Sequence, residues 1–102
     1  MPLKSADGRI ETRLISPGKS QSDLELYEIR LQANAVLQSE AHAARTTETL
    51  VILAGSMRLR VGNSVYELGS GDSAFFRADV AHAYENPSNR EARCINLIRY
   101  SR

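Results

Sequence analysis

Two histidines and one glutamate have the residue types and the spacing of a metal-binding site. His42, Glu48 and His82 lie within 41 residues of the 102-residue chain. Imidazole nitrogen suits zinc, copper, iron and nickel, and a carboxylate extends the choice towards manganese. If these three side chains converge in space, they would bind a divalent transition metal ion (Zn, Fe, Mn or Ni). Whether they converge depends on the elements that carry them.

Each of these three residues also has an alternative role. His42 follows a polar, alanine-rich stretch, so it is either a ligand or an exposed loop histidine. Glu48 begins an apolar run, where an unpaired carboxylate is costly to bury, so it is either a ligand or the solvated end of a strand. His82 lies between Ala81 and Ala83 and is either a ligand or a core histidine with satisfied hydrogen bonds. Their shared spacing, rather than any one residue, supports a site.

The segment that begins at Glu48 has the pattern of short β-strands. Residues 49–53 form a continuous apolar run with β-branched members, and residues 57–61 alternate apolar side chains with arginine. Such alternation predicts a strand with one buried face and one solvated face. Gly62-Asn63 predicts the hairpin turn that follows. Further strands are predicted over residues 65–68, 73–76, 81–86 and 92–100.

The first part of the chain is less regular. We predict an N-terminal arm over residues 1–23, with a loose start over residues 1–9 and a candidate first strand at Ile10–Ile15. The domain proper then covers residues 24–102 and begins with a strand over residues 24–31, whereas periodicity does not decide the state of the stretch that follows. Eight to ten short strands with frequent turn signals and no clear helix predict a single all-β domain, a sandwich or a barrel.

Composition narrows the classes of partner. The net charge is +1, and 11 of the 13 basic residues are arginines scattered along the chain. Because no basic surface is predicted, we expect no direct contact of this chain with nucleic acid and none with a membrane. Cys94 is the sole cysteine, so an intrachain disulfide is excluded. With no apolar segment of a secretory signal in residues 1–14, a cytoplasmic location is expected.

The two motifs resemble those of the cupin superfamily. Its first motif combines histidines with a glutamate and a later glycine, and its second has a glycine, a histidine and an asparagine. The resemblance covers about residues 24 to 100, nearly the whole domain. The matching residues are His42, Glu48 and Gly55 in the first motif and Gly71, His82 and Asn86 in the second.

Three positions depart from the cupin pattern. Ala44 replaces the second histidine of the first motif, and Arg77 and Asp79 replace the proline and the glycine of the second. Residues 76–87 resemble, more narrowly, the C-terminal sensor cupin of XRE-type helix-turn-helix regulators. Those domains often carry a short histidine-to-glutamate segment like residues 42–48. Because Ala44 lowers the expected metal affinity, a metal-free interaction domain is an alternative.

The resemblance implies a double-stranded β-helix, the jelly-roll fold of the cupin barrel. His42 and Glu48 would come from adjacent strands and His82 from a strand facing them, with coordination positions left open. It also implies a pocket beside the metal. Because strand side chains alternate with period two, the walls of this pocket would include Leu50, Ile52 and Tyr84. Asn86 would either point inward or hold the loop before Pro87. Arg77 would be able to anchor an anionic effector.

The resemblance implies a function for the domain as well. We expect a metal-containing module that binds a small-molecule effector inside the barrel and is related to transcriptional regulators. The alternative is a small metal-dependent cupin enzyme of the dioxygenase or isomerase type, since two histidines and one carboxylate also form the facial triad of non-haem iron oxygenases. Because residues 24–31 and 92–100 are apolar on both faces, we also predict a homodimer.

Overall fold

Ten β-strands make up the regular structure of the chain. The computed structural model describes residues 3–15 and 23–100, and neither range contains a helix. The all-β prediction is therefore confirmed. Among these residues there is accordingly no helix with the length and apolarity to span a membrane. The strands are β1 (Leu3–Lys4), β2 (Ile10–Leu14), β3 (Leu24–Leu31), β4 (Val36–Ser39), β5 (Thr47–Ala54), β6 (Ser56–Val61), β7 (Ser64–Gly69), β8 (Ser73–Arg77), β9 (His82–Glu85) and β10 (Ala92–Arg99).

The strands form two antiparallel sheets that share one hydrophobic core. The six-stranded sheet has the order β1-β2-β3-β10-β5-β8, and the four-stranded sheet has the order β4-β9-β6-β7. Ile29, Leu50 and Cys94 from the first sheet pack in one buried cluster with Met57 and Leu59 from the second. Strand β5 and strand β9 therefore lie in opposite sheets, so residues on their inner faces point into the same core.

Strand β10 is the centre of the larger sheet. It pairs with β3 on one side and with β5 on the other, which joins the end of the chain to its beginning and its middle. Its burial alternates strictly, with Ala92, Cys94, Asn96 and Ile98 facing the core.

Burial raises the pKa of the Cys94 thiol to about 12, so this cysteine is a small buried apolar group rather than a reactive thiolate.

The β6–β7 hairpin follows the predicted alternation. Its inner residues Met57 and Leu59 are each 1 % exposed. The two arginines that alternate with them point outwards, where Arg58 pairs with Glu67 at 2.7 Å and Arg60 pairs with Glu85 at 2.6 Å. Such exposed pairs contribute little to stability, and the buried face holds the hairpin in place.

The structure corrects the prediction for the start of the chain. The sequence predicts a loose segment over residues 1–9, yet β1 pairs with β2, and the turn between them is fixed by a hydrogen bond from the Ser5 hydroxyl to Asp7. A two-residue strand has no periodicity that the sequence could reveal. The predicted strand at Ile10–Ile15 is β2, and the undecided stretch before residue 42 contains β4. Residues 1–2, 16–22 and 101–102 lie outside the described residues.

Gly55 lies where the chain passes from the larger sheet to the smaller one, and its backbone approaches another segment closely. It joins β5 to β6 with φ of +77°, and a Cβ there would lie 2.8 Å from the carbonyl oxygen of Glu91. We expect Gly55→Ala to lower the free energy of unfolding by about 3 kcal/mol, because it adds a backbone clash to left-handed strain. Urea denaturation followed by circular dichroism measures this loss.

Gly62 is the matched control for that substitution. Its φ is +57°, but a Cβ added there meets no atom within 4 Å. Gly62→Ala therefore adds only the strain of a left-handed residue, about 1 kcal/mol. Equal losses in the free energy of unfolding for Gly55→Ala and Gly62→Ala would show that the close approach of Gly55 to Glu91 does not make the substitution more costly.

Candidate metal centre

Glu48 is a buried carboxylate at the centre of the candidate site. It is the second residue of β5, and the pleat places it on the inner face with Leu50 and Ile52. Its side chain is fully buried, a costly position for a charge without partners. The structure supplies three partners. His42 and His82 each bring Nε2 to 3.1 Å from Oε2, and the Tyr84 hydroxyl donates a hydrogen bond to Oε1.

His82 is held in a fixed orientation from both ring nitrogens. It is the first residue of β9 in the four-stranded sheet, and it is 4 % exposed. Nδ1 lies 2.8 Å from the carbonyl oxygen of Val80, while Nε2 faces Glu48. A carbonyl that accepts from one ring nitrogen directs the other towards a metal and fixes the ring. As predicted, His82 faces Glu48 from the opposite sheet.

His42 reaches the site from a loop, which corrects one expectation. It lies between β4 and β5, and not on a strand adjacent to that of Glu48. Its backbone N–H donates to the carbonyl oxygen of Ala78 at 2.9 Å, which fixes the start of the loop. The loop then turns sharply at Arg45, whose φ is 66° and whose N–H donates to Asp79. The side chain of His42 is 26 % exposed and forms the solvent side of the site.

The donor set fits a divalent transition metal ion. One ligand atom from each of His42, Glu48 and His82 lies within 4.8 Å of the others. Two ligands that are each about 2.1 Å from one ion are roughly 3 to 3.5 Å apart in octahedral or tetrahedral geometry. The two histidine-to-carboxylate distances of 3.1 Å fall in that range. No fourth His, Cys, Asp or Glu among the described residues joins this group, so coordination positions would stay open.

The electrostatics favour a charged carboxylate beside a charged imidazole in the metal-free protein. Burial opposes ionisation of Glu48, but hydrogen bonds from His82 and Tyr84 and the charge of the two imidazoles outweigh it, so its pKa lies below the usual value. Burial also opposes a charged His82, but its bonds to Glu48 and to the Val80 carbonyl raise its pKa. Protons and a metal ion would therefore compete for His82, so metal binding would strengthen as the pH rises.

A cavity of about 230 Å³ is lined by two of the three candidate ligands, His42 and Glu48. Its apolar walls come from Tyr27, Ile29, Leu37 and Ile98. Small-molecule sites combine such apolar walls with a few well-placed polar groups. The polar groups here lie on both sheets and on the loop between β4 and β5, and they are Thr12, Gln38, Ser39, His42, Glu48, Tyr84, Asn96 and Tyr100.

The sequence was compared with models of known protein families. The model described as "Cupin domain" matches residues 27–98, which is more than half of the chain. The chain belongs to the cupin family. The jelly-roll fold predicted from the two motifs is thus confirmed.

The relatives of this cupin include domains of transcriptional regulators. The HTH-type transcriptional regulator SutR of Escherichia coli K12 is 29% identical over 86 residues, which are 84% of this chain and 48% of the regulator. The chain therefore spans about half the length of that relative. An HTH_3 family transcriptional regulator from Vibrio cholerae has a TM-score of 0.85 and 26% identity, with 94% of this chain and 53% of that chain covered.

A third relative has the same extent as this cupin. It is the crystal structure of the cupin domain of an XRE family transcriptional regulator from Enterobacter cloacae. The TM-score is 0.86 and the identity 24%, with 92% of this chain and 99% of that chain covered. At that identity the likeness shows the fold alone. The predicted kinship with cupin domains of XRE-type regulators is confirmed by these three relatives together.

The structure brings together only part of the predicted pocket. Tyr84 lines the cavity beside Glu48, but Leu50 and Ile52 lie deeper in the core. The Asn86 amide donates to the carbonyl oxygens of residues 31, 32 and 90, so it holds the loop before Pro87. Arg77 is exposed and pairs with Asp79. Neither Asn86 nor Arg77 lines this cavity, and metal binding by the two histidines and Glu48 stays a prediction.

The sequence predicted His42, Glu48 and Tyr84 among the twelve residues that line the cavity and missed the other nine, including Asn96 and Tyr100. Asn96 and Tyr100 lie at the end of the chain, outside both cupin motifs. Asn96 did leave a signal, because it is the one polar side chain at an inner position of a strand that is otherwise apolar on that face. Tyr100 follows β10, and its ring meets that of His42 edge-on at 5.9 Å.

The Glu48–His82 pair predicts a pH dependence of stability for the metal-free protein. The lowered pKa of Glu48 gives stability that is present above about pH 4.5 and lost as the pH falls through its folded-state value. The raised pKa of His82 gives stability that is present below about pH 6.5 and lost as the pH rises through its folded-state value. The pair thus stabilises most between these two limits.

Glu48→Gln is the variant that tests this window. The neutral amide of glutamine cannot carry the charge, so the stability gap between wild type and variant is expected to peak between pH 4.5 and 6.5. Within the window we expect a gap of about 3 kcal/mol, typical of a broken buried pair. Urea denaturation in a chelating buffer at a series of pH values measures it. A gap that stays constant from about pH 4 to about pH 8 would contradict the charged pair.

Proposed function

We propose that this cupin domain binds one divalent transition metal ion through His42, Glu48 and His82, and a small-molecule effector in the adjoining cavity. The observation that carries the proposal is the convergence of three ligand atoms within 4.8 Å, because two of the three residues, His42 and Glu48, also line that cavity. Zinc, iron, manganese and nickel all accept this donor set. The ion would offer an open position to an oxygen or nitrogen atom of the effector.

The effector is proposed to be small. A cavity of about 230 Å³ lies below the roughly 300 Å³ at which pockets for drug-sized ligands begin. Its lining combines four apolar or aromatic side chains with several polar groups, two of which are the candidate ligands His42 and Glu48. Such a cavity suits a metabolite with one polar end rather than a chain of sugar units or a peptide.

A sensing role follows from the kinship with regulators. Two relatives are named as helix-turn-helix regulators of about twice the matched length, and a third is the cupin domain of such a regulator. We propose that binding in the cavity is the signal that such a domain reports to a DNA-binding partner.

A small metal-dependent enzyme is the second candidate. It is favoured by the open side of the ligand set, which the facial triad of non-haem iron oxygenases shares. Tyr84 would then be the nearest hydroxyl to the reacting atoms, and burial keeps its pKa raised, so it would act as a hydrogen-bond donor. Oxygen uptake by the iron-loaded protein with candidate thiols and diols would support the enzyme over the sensor.

Metal content tests the proposal directly. We expect untagged, freshly purified protein to hold about one ion per chain, and His82→Ala and Glu48→Gln to lose more than about 100-fold in affinity, since changes outside the ligand set alone cost 10- to 100-fold. Elemental analysis and competition with a chromogenic chelator measure this. Glu67→Gln, a carboxylate change on the exposed face of β7, is the matched control. Retention of metal by His82→Ala would refute the site.

The predicted homodimer has a candidate surface on the outer face of the larger sheet. Strand register aligns Leu26, Leu97, Thr49 and Phe75 in one row across four strands. Phe75 is 71% exposed, which is unusual for a large apolar side chain on a strand. We propose that a second copy of the chain covers this row.

Light scattering tests the dimer. Wild type is expected to have twice the 11.3 kDa chain mass, and Phe75→Lys is expected to be a monomer, because a charge would be buried against an apolar partner. Val65→Lys changes an exposed apolar residue of the other sheet and should remain dimeric. A monomeric wild type would remove the proposal.

A further inference from the structure

Asn96 carries a buried acceptor that no described residue satisfies. It lies on the inner face of β10, between Cys94 and Ile98, and is 3% exposed. Its side chain lines the cavity with Glu48 and Tyr84. Among the described residues, its Oδ1 has no hydrogen-bond partner. Buried polar atoms in native proteins are nearly always paired, so an orphan at a cavity wall points to a missing donor.

The orientation of the Asn96 amide follows from its neighbour. A tyrosine hydroxyl has one proton to donate, and that of Tyr84 goes to Glu48. The Tyr84 oxygen must therefore accept from Asn96, whose Nδ2 lies 3.4 Å away. This fixes Nδ2 towards Tyr84 and leaves Oδ1 as the atom without a partner in the described part of the chain. Glu48, Tyr84 and Asn96 thus form one chain of hydrogen bonds that ends in a free acceptor.

The other tyrosine hydroxyls of the cavity are committed elsewhere. Tyr27 and Tyr100 both donate to Oε1 of Glu25, at 3.1 and 2.6 Å. Their protons are directed at a carboxylate that is itself buried. With all three tyrosine protons directed at carboxylates and no described residue bonded to Asn96 Oδ1, a donor on a molecule in the cavity would satisfy this acceptor.

We infer that the cavity selects ligands that carry a hydroxyl or an amino group, and that Asn96 is the residue that recognises this donor. The inference rests on the proposed function of the cavity. The ligand class is a small compound with an O–H or N–H donor beside the atom that meets the metal. Compounds that lack the donor are rejected, because they would leave the Asn96 acceptor buried and unpaired.

Matched pairs of compounds that differ in the donor test this selection. The probes are lactate and 2-methoxypropionate, glycine and betaine, and ethylene glycol and 1,2-dimethoxyethane. Isothermal titration measures each against metal-loaded and metal-free wild type. We expect at least one donor compound to bind at least about tenfold more tightly than its methylated partner. Equal binding within every pair, or no binding by any donor compound, would overturn the inference.

Two variants of Asn96 connect the selection to this residue. Asn96→Leu keeps a similar volume without the acceptor, and Asn96→Ala is the second variant should leucine fail to fold. In either variant, titrated with enough metal to fill the site, the ratio within a pair is expected to fall to about one. If Asn96 had only a structural role, the variants would be less stable but would keep the wild-type ratio of affinities within each pair. That result would overturn the inference. If the wild-type protein holds no metal, the proposed metal site is refuted. The titrations of the metal-free protein would still decide whether Asn96 recognises the donor of the ligand.

Discussion

The buried carboxylate of Glu48 is the constraint on which the rest of the site depends. An ionised group without solvent is tolerated only when other groups compensate its charge, and here two imidazoles and a tyrosine hydroxyl do so. Each partner comes from a different position in the fold, namely a loop, the start of β9 and the middle of β9. The two histidines and the carboxylate of this arrangement are also the residues that would bind a cation.

The jelly-roll topology explains how residues that are distant in sequence meet. Strand β5 belongs to the larger sheet and β9 to the smaller one, so Glu48 and His82 approach each other across the shared core. Beyond them the core is packed from apolar side chains such as Leu50 and Met57, while Glu48, Tyr84 and Asn96 bring polar groups to the cavity. The fold thus separates a packed region, which supplies stability, from an open end, which is available for binding.

Strand periodicity predicted much of this fold, because alternation in residues 57–61 and the run at 49–53 directly reflect which faces are buried. The candidate metal ligands His42, Glu48 and His82 were recognisable because their spacing matches the cupin motifs. Other features left weaker signals. β1 is too short for periodicity, His42 lies on a loop whose path depends on tertiary hydrogen bonds, and the roles of Asn96 and Tyr100 arise only from contacts with distant strands.

X-ray absorption spectroscopy of the metal-loaded protein tests the central claim most directly, because it reports which atoms surround the ion. The account predicts two imidazole nitrogens at about 2.0–2.1 Å and a carboxylate oxygen at about 2.0–2.2 Å, with solvent oxygen in the remaining positions. It also predicts that one imidazole contribution disappears in His82→Ala. A shell of oxygen atoms alone, without imidazole scattering, would contradict the convergence of His42, Glu48 and His82 on one ion.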